Sequence, residues 1–213
     1  MTRRGLMVGK FFPPHRGHRK LIDLAASQAD RVTVMLVDTP GQEPPARVRA
    51  AWLRELHRDV EVRVIPDIHR DDDSNAWARH VVALMGERID AVFTAEPYGG
   101  PWAAAIARLQ GAACNNVRVE RDPDGVSGTK VRENPGAWWD HLDAPVRAHY
   151  VRRLVVVGAE STGSTTLARS LADVLGTIWV PEYGRQYTVE KFRIGTGAEW
   201  TPSDFVRIAA EQN

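Results

Sequence analysis

Along most of the chain a short β-branched run, a Gly, Pro or Asp break and a stretch of helical spacing follow one another, repeatedly and without internal sequence similarity. The runs Gly5 to Gly9, Arg31 to Val37, Val60 to Ile65, Ala91 to Ala95 and Val117 to Glu120 read as strands. Helical spacing fills Gly17 to Gln28, Arg47 to His57, Asn75 to Gly86 and Trp102 to Leu109. In the first of these, Leu21, Leu24, Ala25 and Gln28 follow i, i+3, i+4, i+7, so a narrow stripe faces the sheet. Such alternation predicts an α/β, Rossmann-like parallel sheet with helices on both faces. Ligands then bind at the carboxyl ends of its strands.

After Val126 a polar segment, SGTKVREN, leads into the helical-looking Pro135 to Tyr150, and a new strand, RRLVVVG, begins at Arg152. This places a domain boundary near Tyr150, with domains at 1–150 and 151–213. The second domain adds a Gly-rich turn, a helix, the strand-like Thr177 to Val180 and two more helical stretches. A parallel α/β domain needs on the order of 100 residues to bury both faces of its sheet, so this one reads as an incomplete P-loop unit, truncated or packed as an appendage.

Composition narrows the field. With 28 Lys+Arg against 27 Asp+Glu in 213 residues, the chain has no polybasic footprint and no acidic tail. It has 43% hydrophobic and 26% charged residues, the makeup of an ordinary globular protein. Cys114 stands alone, which rules out a disulfide framework and a thiolate-rich metal site and suits a reducing cytoplasm. No apolar run approaches a membrane span, and the basic N-terminus lacks a signal-peptide core, so the expected location is cytoplasmic with no membrane partner.

The most informative stretch follows the first strand: Gly9-Lys10-Phe11-Phe12-Pro13-Pro14-His15-Arg16-Gly17-His18. His15 and His18 are three apart, which on an opening helical turn puts both imidazoles on one face, toward the free N–H groups of the helix terminus. Gly17 lets the backbone approach a ligand, and the prolines stiffen the path. Together with Lys10 this describes a cradle for phosphoryl oxygens. His57, His69, His80, His141 and His149 have no such setting and read as surface or satisfied core residues.

A second anion nest follows the fifth strand. Ser127 reads as the N-cap of a helix whose first turn carries Thr129, Lys130 and Arg132, so that hydroxyls, free N–H groups and two cations share one turn. The plain reading is a capped surface helix. Only four lysines accompany 24 arginines, and two of the four, Lys10 and Lys130, fall in these two segments.

The pair GKFFPPHRGH and VSGTKVR resembles the HxGH and ISxTxxR signatures of the nucleotidyltransferase superfamily. With FTAEPYGGP, VSGTKVRENPGAWWDHL, RRLVVVGAESTG and VPEYGRQY, the chain is similar from about Gly5 onward to the NadR type of bifunctional nicotinamide-nucleotide adenylyltransferase/ribosylnicotinamide kinase. The likeness implies that the 5′-phosphate of nicotinamide mononucleotide attacks the α-phosphorus of ATP in line, giving NAD and pyrophosphate without a covalent intermediate. It assigns His15, His18, Lys10 and Arg132 to catalysis, and Gly9, Phe11, Phe12, Gly17, Ser127 and Thr129 to ATP. Trp77 would lie against the nicotinamide ring and Arg49 would bind the acceptor phosphate; the plain alternatives are a helix core anchor and a solvated helix arginine. Mg²⁺ would bridge the ATP phosphates and take no ligand from the protein. The run Asp71-Asp72-Asp73 reads as an exposed loop.

Gly158-Ala159-Glu160-Ser161-Thr162-Gly163-Ser164-Thr165 has the form of a P-loop with Ser164 in the lysine position. One charged hydrogen bond is worth about 1.5–3 kcal/mol, so losing it weakens phosphate binding about 10–100-fold. Glu182 and Arg185 resemble substrate contacts of the kinase half, yet kinase activity is expected to be absent or very weak. The competing assignments are a nucleotidyltransferase for another phosphorylated acceptor, a P-loop kinase, and a non-catalytic nucleotide-sensing regulator. No helix-turn-helix precedes the first strand, so no nucleic-acid partner is expected. A homo-oligomer is compatible with the sequence, which does not choose between the amidated and deamidated mononucleotide.

Overall fold

The computed structural model describes residues 3–159, 161–193 and 199–212. They divide into two compact units, Met1–Val151 and Arg152–Asn213.

The first unit is built on a parallel five-stranded sheet of order β3-β2-β1-β4-β5. Its strands are β1 (Arg4–Gly9), β2 (Arg31–Asp38), β3 (Glu61–Pro66), β4 (Ala91–Thr94) and β5 (Asn115–Arg118). Between them run α1 (Arg16–Gln28), α2 (Ala46–Leu56), α3 (Ser74–Met85) and α4 (Gly99–Gln110). Successive strand residues point to opposite faces, and the core divides accordingly. Met7, Val34 and Leu36 pack with Ile22, Ala25, Ala50 and Leu53 of α1 and α2. Leu6, Met35 and Val37 pack with Ala78, Val81 and Ile106 of α3 and α4.

The strand order reverses at β1, and there the sheet opens. Beside β2, β1 is paired along its whole length, Arg4 to Gly9. Beside β4 it is paired only at Gly5 and Leu6. Its carboxyl end therefore leaves β4 and makes one wall of a crevice at the switch point, the place where open α/β sheets bind ligands.

The segment after β5 differs from the uniform helix expected over Pro135 to Tyr150. It forms α5 (Gly128–Glu133), a 3-10 turn at Trp139–His141 and α6 (Ala144–Tyr150). Pro135 and Gly136 stop α5 from continuing, and Pro145 sits in the first turn of α6, where its missing N–H costs nothing. Val131, Leu142 and Val146 then bury against Trp52 of α2, which anchors α5 beside the β1–α1 turn. The approach is close: a Cβ on Gly128 would stand 2.2 Å from the Phe12 carbonyl oxygen.

In the second unit α7 (Ser164–Leu175), α8 (Tyr183–Arg193) and α9 (Pro202–Gln212) form as the pattern predicts, but neither expected strand does. Leu154, Val155, Val157, Ile178 and Val180 are all exposed. A strand exists only as part of a hydrogen-bonded ladder, and no described segment pairs with these runs. The α8–α9 pair is held by the buried Asp204, which accepts from Lys191 Nζ at 2.6 Å, from the Thr201 N–H at 2.7 Å and from the Tyr187 hydroxyl. No described helix is long and apolar enough to cross a membrane.

The contact at Gly128 is testable by side-chain addition. Gly128→Ala forces a methyl group into a backbone carbonyl and is expected to destabilise the protein by about 1–3 kcal/mol in urea unfolding. Gly100→Ala, where the added methyl group meets nothing within 4 Å, should be neutral or stabilising.

Candidate active site

The two histidines come together, though by a different local geometry from the one expected. His15 is not in the helix but caps it, in extended conformation (φ −149°, ψ 173°), its Nδ1 accepting from the Gly17 N–H at 3.2 Å. His18 lies within the first turn, and the ring centroids are 3.8 Å apart. The Phe11 ring is 4.9 Å from that of His18. Phe11 adopts φ 44°, a left-handed conformation that is costly for an aromatic residue, and buries its ring behind Gly9.

Neither imidazole carries a proton charge at neutral pH. Burial pushes His15 down to about 4, only partly opposed by Asp122, and nearby His141 adds to the fall. Burial, and then His15 itself, hold His18 well below the ordinary histidine range. Because His15 accepts at Nδ1, its single proton resides on Nε2. Nδ1 of His18 is buried without a partner.

The second nest faces the first. Ser127 caps α5 as expected, accepting from the Lys130 N–H at 3.3 Å. Arg132 donates to the Phe12 carbonyl and, at 3.3 Å, to the Thr129 hydroxyl, and its guanidinium lies 4.2 Å from the Phe12 ring centroid. Lys130 turns elsewhere, donating to the Gly125 carbonyl at 2.8 Å and lying over Trp138.

Arg49 is not a solvated helix arginine. It is 0% exposed, donates to the Lys10 carbonyl and leaves Nε and Nη2 buried without a partner. Burial lowers its pKa, opposed by the carboxylate of Asp38 and reinforced by the charge on Arg132. Buried N–H donors without acceptors are costly, and the two on Arg49 are a standing demand for an anion.

Lys10 and Trp77 line a separate recess of about 280 Å³ at the crevice, with Gly9, Asp71, Tyr98 and Trp102. There Lys10 is paired with the buried Asp67 at 3.4 Å and with Asp71 at 3.6 Å. Trp77 is half-buried, one side against the core and the other on the recess, so it is both anchor and wall. Of the aspartate run, Asp71 and Asp72 are exposed, while Asp73 caps α3 by accepting from the Ala76 N–H at 2.8 Å.

Asp122 was not singled out from the sequence, where RDPDG reads as a plain turn. Its buried carboxylate accepts from Arg16 at 3.2 Å and Lys20 at 2.7 Å on α1, tying the helix that carries His18 to the approach to α5. These hydrogen bonds hold it well below the usual carboxylate range, Arg16 first. Asp122, Asp124 and His141 each bring one ligand atom within 4.8 Å of the others. Arg16 and Lys20 already occupy these carboxylates, so the group reads as an ion-pair network.

In the second unit the turn before α7 closes with the Thr162 hydroxyl donating to the Ala159 carbonyl at 2.7 Å, and Gly163, at φ 86°, starts the helix. Gly158 precedes this turn, and Ser164 and Thr165 open α7. Glu160 lies outside the described residues. Glu182 and Arg185 are exposed at the start of α8.

The depressed histidines predict a pH dependence of stability. The folded-state pKa of His15 is below its unfolded value of 6.5, so the unfolded chain binds more protons between pH 6.5 and about 4, and stability is lost as pH falls through that window. His15 alone is expected to contribute about 2 kcal/mol of loss between pH 7 and pH 5. Denaturant unfolding at the two pH values checks this: His15→Asn, which keeps a capping acceptor but does not titrate, should flatten the difference.

Residues 153–213 match the family described as an AAA domain. The chain is 30% identical over 206 residues to the trifunctional NAD biosynthesis/regulator protein NadR of Salmonella typhimurium, covering 86% of this chain and 49% of that one. It is 28% identical over 198 residues to the nicotinamide-nucleotide adenylyltransferase of Thermococcus kodakarensis, covering 86% of this chain and 100% of the relative. A NadR crystal structure in complex with NR matches with a TM-score of 0.77 at 25% identity, covering 97% of this chain and 61% of that one. A second, in complex with NAD and AMP-PNP, matches with a TM-score of 0.74 at 26% identity, covering 98% and 63%. The chain thus spans about half the length of the curated NadR relatives it matches. Along most of its length the chain is thus similar to NadR proteins and to archaeal nicotinamide-nucleotide adenylyltransferases, as an α/β unit followed by a segment that matches the AAA domain family.

Proposed function

We propose that the first unit joins the AMP moiety of ATP to nicotinamide mononucleotide, forming NAD and pyrophosphate. The observation that carries this reading is the meeting of His15 and His18 with the Ser127–Arg132 turn beside the Trp77 recess. The full-length match to an archaeal adenylyltransferase supports the same reaction.

An oxygen of the acceptor phosphate attacks the α-phosphorus of ATP, the bond from that phosphorus to the α–β bridging oxygen breaks, and pyrophosphate leaves with the electron pair. The attacking group is already an anion, so no general base is needed. Catalysis is alignment of two anions and stabilisation of charge on the equatorial oxygens. The neutral imidazoles of His15 and His18 donate hydrogen bonds to α- and β-phosphate oxygens. Ser127, Thr129 and Arg132 hold the β and γ groups that leave, with Gly9, Phe11, Phe12 and Gly17 shaping the backbone around them. Arg49 offers its free N–H groups to the acceptor phosphate, and Trp77 presents a ring face to the cationic pyridinium. Lys10, set on the recess wall and paired with Asp67 and Asp71, balances charge between the substrates. The donors gathered here suit phosphate oxygens rather than a hard cation, so Mg²⁺ bound with ATP would be held by phosphate and water and would neutralise the charge on the leaving group.

We assign no ribosylnicotinamide kinase activity to the second unit, because Ser164 supplies no cation to the β and γ phosphates. Incubation with labelled ATP and a panel of phosphorylated acceptors tests the main reading: pyrophosphate should appear with the mononucleotide, and its appearance only with other acceptors would overturn the assignment. His18→Ala is expected to cut turnover about a hundredfold with the fold intact, as for loss of one preorganised donor; near-normal turnover would remove His18 from its role. Nicotinamide riboside should be phosphorylated no faster than background, measured as labelled mononucleotide.

A further inference from the structure

Phe12 stands between two arginines that make no ion pair among the described residues. Arg49, on α2, places its guanidinium carbon 5.0 Å from the centroid of the Phe12 ring, and Arg132, on α5, places its own 4.2 Å from the same centroid. Each also donates to a backbone carbonyl of the same short stretch, Arg49 to Lys10 and Arg132 to Phe12. Among the described residues neither forms an ion pair, whereas Arg16, Arg19 and Lys20 of neighbouring α1 all do.

Two like charges near one another repel, and the charge on Arg132 is felt at Arg49, opposed there by Asp38, whose carboxylate makes no ion pair with it. A carboxylate between them would relieve the repulsion, but it would repel every incoming phosphate and would have to be displaced. An aromatic ring attracts cations to its faces through its quadrupole and carries no net charge. It can order both guanidiniums while leaving their outer N–H groups, including Nε and Nη2 of Arg49, free for an anion.

We propose that Phe12 is a positioning residue whose ring, standing in for a carboxylate counterion, holds Arg49 and Arg132 in place for the phosphate groups of the two substrates. The assignment of one arginine to each substrate rests on the adenylyl-transfer reading. The preassembly of the pair by the ring does not.

The test compares wild type, Phe12→Leu and Phe12→Tyr in the full chain. The probes are inorganic tripolyphosphate, followed as a concentration-dependent rise in Tm, and steady-state kinetics. The leucine variant should keep its unliganded Tm within a few degrees, bind tripolyphosphate about tenfold more weakly, and show KM for ATP and for the mononucleotide raised about tenfold, with kcat changed much less. The tyrosine variant, which keeps the ring face, should restore tripolyphosphate binding. If the leucine variant fails to fold, Phe12→Met carries the same expectation. Unchanged tripolyphosphate binding in the aliphatic variants, failure of tyrosine to restore it, or no response in the wild type would each overturn the proposal. Tripolyphosphate binding requires neither acceptor nor turnover. A ring-dependent response in a wild-type protein that makes no NAD would therefore support the positioning role and overturn only the adenylyl-transfer reading.

Discussion

The site depends on polar groups that are buried before any partner is there for them. His18 Nδ1 and two nitrogens of Arg49 lack partners, and His15 and His18 are desolvated enough to stay neutral. Each of these is unfavourable on its own, and the sheet core, with the two arginines anchored on backbone carbonyls and the Phe12 ring, offsets the cost. An anion entering such a place meets donors that need little reorganisation, the condition under which electrostatic stabilisation of a transition state is large.

The topology supplies the place. Parting of β1 from β4 beyond Leu6 opens a crevice at the carboxyl edge, and the turn after β1 delivers Phe12, His15 and His18 into it. The chain then returns after β5, and two contacts fix where it lands: Asp122 on Arg16 and Lys20, and Gly128 against the Phe12 carbonyl. The first is a charged tie near the surface and the second a steric fit. Together they bring residues more than a hundred positions apart in sequence to one ring.

Much of this was legible in the chain. Four strands and the first three helices appear within one residue of the periodic runs, and α4 begins three residues early, at Gly99, because their buried positions carry the apolar signal. β5 is displaced, from Val117–Glu120 to Asn115–Arg118, because its Asn115 and Asn116 carry no apolar signal. The cap role of Ser127 follows from residue type, and that of His15 did not, since histidine is an uncommon cap. The burial of Arg49 had no local signature: it depends on how α2 docks over the β1–α1 turn. Asp122 was missed for the same reason. In the second unit the runs at Leu154 and Ile178 have strand composition, yet composition cannot provide the neighbouring strand that a ladder requires.

The claim on which the account turns is that a triphosphate lies against the paired imidazoles. Histidine side-chain NMR of the full chain, titrated from pH 8 to pH 4 with and without a non-hydrolysable ATP analogue, measures it directly. The account predicts that the analogue raises the pKa of both His15 and His18. Titration curves for His15 and His18 that superimpose with and without a saturating analogue would contradict it.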